Sequence, residues 1–197
     1  MPTTPTRENT MGKIVVSEHV SLDGVVQDPT GEEGFERGGW FLRMSAGDRE
    51  AWAELALAEA RGADALLLGR RSDDWFAARW PARTGEWADR LNGLRKYVVS
   101  ATLDEPRWSN ATVLGGDPVE EVSALGRDVD GDVVVYASAG LVRTLLEHDL
   151  VDELRLVVHP VVLGAGRRLF GDTTTHLRLV GVRTVGDDLA LLTYRRP

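Results

Sequence analysis

Two hydrophobic rhythms alternate along the chain. The first is a set of short apolar runs: KIVVSEHV at 13–20, ALLLG at 65–69, KYVVS at 96–100, ATVL at 111–114 and VVVYA at 133–137. Near-continuous runs of this length, bounded by turn residues, predict strands buried on both faces. The second rhythm has a spacing of three and four. Trp52, Leu55, Ala56 and Ala60 share one face of a helix over about 48–61, which Gly62 ends. Shorter helical patterns cover about 72–79 and 86–94. Another covers 118–127, with Asp117 as cap and Pro118 in the first turn. Leu141, Val142, Leu145 and Leu146 form the stripe of a helix running to His148. The pattern then changes. Residues 152–164 read as a strand interrupted by Pro160, and 177–196 as a hairpin turning at Gly186, Asp187 and Asp188. Strands alternating with helices and closed by a hairpin predict an α/β protein: a mostly parallel central sheet, flanking helices and an antiparallel C-terminal hairpin.

Such sheets bind ligands beyond the carboxyl ends of their strands. One of those ends stands out. The run VVVYA passes through Ser138, Ala139 and Gly140 directly into a helical stripe. Small residues there suit a tight turn with Ser138 as helix cap. They also suit an anion held by the first, unpaired amides of the helix. Gly69-Arg70-Arg71-Ser72, Ser100 and Gly115-Gly116 lie at comparable ends. The stretch from Ser21 to Trp40 is long and glycine-rich for a connection, which marks it as functional or mobile.

Composition narrows the choices. A chain of 197 residues forms one domain with a substantial core, read here as 13–197 behind a polar leader over 1–12. The formal net charge of -8 argues against nucleic acid as the main partner but leaves room for a local anion pocket. There is no cysteine, so disulfides, thiolate catalysis and cysteine-held metals are excluded. The histidines at 19, 148, 159 and 176 have no metal-ligand spacing, and no metal site is expected. No apolar run approaches the roughly 18 residues of a membrane span, and the cytoplasm is the expected compartment. No P-loop and no GxSxG elbow is present.

SLDG after the first strand, LLLGRRS, KYVVS, VVVYASAGLVRTLLEHDLVDELRL and HPVVLGAGRRLF occur in one order and spacing. Together they resemble the dihydrofolate reductase superfamily over Lys13 to Tyr194. Within it they are similar to the C-terminal reductase domain of the bifunctional riboflavin-biosynthesis deaminase/reductase. The resemblance implies an eight-stranded sheet, NADPH across the strand ends and a homodimer. It implies hydride transfer to a small heterocyclic substrate, pteridine- or pyrimidine-like. It places Gly69, Arg70, Arg71 and Ser72 near the adenosine phosphates, Ser100 at the adenosine portion, and Ala137, Ser138, Ala139, Gly140 and Leu141 at the diphosphate. Guanidinium forks suit a 2′-phosphate.

Asp23, in the SLDG motif, is the candidate catalytic residue near the nicotinamide; the other reading is an Asp-Gly turn. Trp40 either stacks on a flat substrate or anchors the loop to the core. Asp152 and Glu153 read as charges of a strand start. Three departures from the family matter. Ala137 stands where a second glycine is usual and Tyr136-Ala137 where riboflavin reductases carry Glu-Gly, and no folate-type Trp-x-Leu-Pro-x-acid segment lies between Asp28 and Arg49. Neither the riboflavin nor the folate substrate follows from the sequence. A non-catalytic nucleotide-binding or dimerisation module on the same fold is the alternative.

Overall fold

A computed structural model describes residues 12–172 and 174–197. The leader read over 1–12 lies outside the described residues except for Gly12. Eight strands form one sheet. They are β1 (Lys13–Ser21), β2 (Ala63–Gly69), β3 (Arg95–Val99), β4 (Ala111–Leu114), β5 (Asp132–Tyr136), β6 (Glu153–His159), β7 (Arg178–Val185) and β8 (Leu189–Arg195). Their order is β4-β3-β2-β5-β1-β6-β8-β7. The pairs from β4 across to β6 are parallel, and β6-β8 and β8-β7 are antiparallel. The helices are α1 (Ala46–Gly62), α2 (Arg70–Ala77), α3 (Glu86–Gly93), α4 (Pro118–Asp128) and α5 (Ala139–Glu147).

The alternation of β1 divides the interior. Ile14, Val16 and Val20 join Val133 and Val135 of β5 under α4 and α5, where Val122, Leu125, Val142 and Leu145 meet them. Val15 faces the other way, into a cluster with Leu66, Leu68, Val134, Leu91, Trp80 and Trp108. Beyond it, Val157, Leu189 and Leu191 pack against Trp52 and Leu55 of α1. Lys96, one of only two lysines in the chain, is buried and gives its ammonium to Asn92 O and Leu94 O, 4.4 Å above the Trp108 ring.

Two expectations are corrected in detail. The strand read over 152–164 ends at His159. Pro160 has no amide for the ladder and Gly164 turns at φ 72, so 160–164 becomes a loop. The helix read from Asp48 starts at Ala46, because Ser45 is the cap. Its hydroxyl accepts the Asp48 amide at 3.0 Å, and the Asp48 carboxylate accepts the Ser45 amide at 3.3 Å. The same carboxylate accepts the amides of Asp187 and Asp188 at the β7–β8 turn, at 2.7 and 3.0 Å. One buried acid thus ties the C-terminal hairpin to the start of α1. Asp152 and Glu153 do open β6. Asp152 accepts the Ile14 amide, and Glu153 is bracketed by Arg155 and Arg195.

Candidate active site

The carboxyl ends of β2, β5 and β1 lie side by side, and the chain leaves each differently. From β2 it enters α2 directly through Gly69. From β5 it turns through Ala137 and Ser138, both left-handed with φ 52 and 64, into α5. Ser138 locks the two turns together. Its hydroxyl accepts the Gly69 amide at 2.9 Å and lies 2.7 Å from Ser72 Oγ. No side chain caps α2 or α5, whereas Ser45 and Asp117 cap α1 and α4. Two helix starts with amides open to a ligand therefore sit on neighbouring strands. Gly140 is exposed and looks into open space. Arg70 and Arg71 are exposed, and Arg70 Nη1 donates to Thr102 Oγ1 at 2.9 Å, beside Ser100. Leu141 is half-buried against the core. The structure thus brings Gly69, Arg70, Ser72, Ser100 and residues 137–141 to one edge.

The exit from β1 is held by Asp23. Its carboxylate accepts Ser21 Oγ at 2.8 Å and the amides of Leu163 and Gly164 at 3.0 and 2.7 Å. The Leu163 amide leads in pulling its pKa down to about 2. Asp23 is an ionised clamp joining the β1 exit to the 160–169 loop, and its acceptor capacity is largely used. The sequence offered a catalytic role near the nicotinamide or a local Asp-Gly turn; the carboxylate in fact reaches across to the amides of Leu163 and Gly164 while also accepting Ser21 Oγ.

Trp40 takes the anchoring one of its two readings. It is only 2% exposed, packs with Val25 and Leu163, and donates its indole N–H to Gln27 O at 3.0 Å. It anchors the glycine-rich loop and offers no face to a substrate. Asp28, buried at φ 46, organises the rest of that loop by accepting the amides of Glu33 and Phe35, both at 3.0 Å.

Two features went unread or under-read in the sequence. On the α1 side, Trp52 Nε1 donates to His19 Nε2 at 2.9 Å, and His19 Nδ1 lies 2.9 Å from His159 Nε2. The Trp52 bond leaves Nδ1 of a neutral His19 as donor to His159. Phe41 packs edge-on to His19 and Trp52. Burial pushes His19 down to about 3, with His159 adding to the shift, and burial pushes His159 to about 4 against the pull of Asp48. Both imidazoles are neutral at pH 7. On the opposite face, Glu18 sits between Val16 and Val20, and burial raises its carboxyl to about 8. A polar residue at an inward position of an apolar strand was the available signal for Glu18. The pairing of residues 19, 52 and 159 depends on the fold and had no local signal.

The strand order and the antiparallel end define a dihydrofolate-reductase-like fold. It is shared with dihydrofolate reductase from Enterococcus faecalis complexed with NADP(H) and RAB-propyl, at TM-score 0.57 and 15% identity over 94% of this chain and 97% of that one. A putative riboflavin biosynthesis protein from Shewanella sp. PV-4 matches at TM-score 0.68 and 20% identity, covering 94% and 99%. The chain belongs to the family of the RibD C-terminal domain, which it matches over residues 12–191. Among curated proteins it is 32% identical over 189 residues to Uncharacterized protein YyaP of Bacillus subtilis (strain 168), covering 92% of this chain and 94% of that one. Among the described residues no helix is long and apolar enough to cross a membrane, and no group of three or more His, Asp or Glu could hold a metal ion.

Proposed function

We propose that this protein is an NADPH-dependent reductase of a small heterocyclic substrate. The observation that carries the reading is the pair of uncapped helix starts on β2 and β5, bolted together by Ser138, in a chain of the RibD C-terminal family. The residues fit the cofactor. The first amides of α5 and the open approach at Gly140 suit a diphosphate, and Arg70 beside Ser100 suits an adenosine 2′-phosphate, with Arg71 next to it. Asp23 serves by fixing the loop that borders the site. When bound, the reduced nicotinamide supplies a hydride, and the protein supplies orientation, dryness and a proton.

The test is thermal unfolding with NADPH, NADH and neither. At about 100 times its dissociation constant a ligand adds roughly 2.7 kcal/mol, a shift of several degrees at this size. The expected result is a large shift with NADPH and a smaller one with NADH, with Arg70→Ala reducing only the NADPH shift. No shift with either overturns the reading. The non-catalytic alternative draws on the saturated carboxylate of Asp23. Substrate-dependent NADPH oxidation separates the two. A homodimer is part of the proposal, supported by Leu179, Val180 and Val182 exposed on the outer strand β7.

A further inference from the structure

Among the described residues five acids are buried, and four are engaged. Asp28 and Asp48 accept loop and turn amides, Asp73 accepts the amides of Arg107 and Trp108, and Glu153 meets two arginines. Glu18 is the exception among the described residues. Its Oε1 is sealed from water and has no hydrogen-bond partner. A buried carboxyl left without a partner is costly, and such groups concentrate where a ligand completes them.

Its place in the sheet is informative. Ser17 pairs with Tyr136, so Glu18 stands one residue further on, level with the Ala137 turn. It shares the face of Val16 and Val20, the face that α5 covers. The strand order β2-β5-β1 then sets a direction. On the reading above, the adenosine end lies over β2 and the diphosphate at the start of α5. A dinucleotide continuing the same way reaches β1 with its nicotinamide half. We propose that Glu18 is the acid at the nicotinamide end of this site, and that it protonates the substrate during reduction.

The step balances. A hydride adds to the carbon of a C=N or C=O bond. Glu18 gives its proton to the nitrogen or oxygen, its own O–H bond breaking as the new N–H or O–H bond forms. One double bond is reduced and the reduced dinucleotide is oxidised. Glu18, left as a carboxylate, takes up one proton from solvent before the next turnover, by the same opening that admits the substrate. Burial alone sets its protonation. The charged groups on this side are Arg143 of α5, which donates to Arg168 O and Leu169 O, Arg168, which lies 4.0 Å from Asp23, Glu147 at the end of α5, and Glu120, Glu121, Arg127 and Asp128 of α4. His19 faces the opposite side, toward Trp52.

The proposal rests on the reductase reading, and the experiment separates the two. Protons released on binding are counted for NADP+ and for NADPH at pH 7, by calorimetry in buffers of different ionisation enthalpy. Both dinucleotides carry the same phosphates, so proton exchange at those groups cancels in the difference. An ionised Glu18 is favoured only by the cationic oxidised ring. The expected result is about one more proton released per site with NADP+ than with NADPH, and loss of that difference in Glu18→Gln. Glu18→Leu serves as a second variant if the first does not fold. Binding of both dinucleotides with equal proton counts, or a difference that survives in the variants, overturns the role of Glu18 and leaves the reductase reading standing. Binding of neither dinucleotide overturns both.

Discussion

Single residues in this protein carry costs that their neighbours do not explain. Ala137 holds φ 52 without a glycine, and a left-handed conformation costs a residue with a Cβ about 1–2 kcal/mol. Ala137→Gly relieves that strain but adds freedom to the unfolded chain. The expected outcome in urea unfolding is a change between neutral and about 1 kcal/mol of added stability, with the NADPH-induced shift retained. The buried titratable groups predict a stability profile with two slopes. His19 and His159 have folded pKa values of about 3 and 4 against 6.5. As pH falls below 6.5 the unfolded state takes up protons first, and stability is lost down to pH 4 and below. Glu18 works the other way. Its folded value is about 8 against 4.5, so the unfolded chain loses that proton first, and stability falls as pH rises from 4.5 to 8. Above pH 6.5 the Glu18 slope leads, at most about 1.4 kcal/mol per pH unit, until Lys96, pushed down to about 8 by burial, begins to oppose it near pH 8. Urea midpoints from pH 4 to 8 should therefore peak in the middle, and Glu18→Gln should remove the alkaline slope and exceed wild type at pH 8.

Elements in this fold are joined by acids rather than by long apolar seams alone. Asp48 closes the capping box of α1 and also accepts two amides of the β7–β8 turn. Asp48→Ala should cost more than the ~1 kcal/mol usual for a cap, because the turn amides of Asp187 and Asp188 lose their acceptor as well. Gly186→Ala should imitate it. A Cβ there would lie 2.4 Å from Asp48 Oδ1, at a backbone already at φ 66. A matched loss in urea unfolding for the two variants, with the double variant less than additive, would show that they break one joint. Legibility in the sequence follows the same division. The five parallel runs and the final hairpin were readable because each is a local pattern of apolar residues. Ser45 was missed as a cap because its box closes with Asp48 instead of the usual glutamate. Pro160 announced an interruption, and the strand stopped there outright.

At the level of the whole molecule, the small-residue turns were legible because glycine, serine and alanine at strand ends carry a backbone meaning of their own. The turn-clamp role of Asp23 was not, because its partners Leu163 and Gly164 are 140 residues away. The Trp52–His19–His159 chain is hidden for the same reason, whereas the anchoring of Trp40, bonded only 13 residues away at Gln27, was one of its two sequence readings. The sheet order also has a consequence for how the protein is made. β1 is synthesised first, yet both of its neighbours, β5 and β6, come from the last third of the chain. At about 5–20 residues per second, the valine-rich strand that bears Glu18 waits on the order of ten seconds at the ribosome before either neighbour exists. Through that interval it is a sticky edge, and safe passage depends on the speed of translation and on whatever chaperone covers the nascent chain.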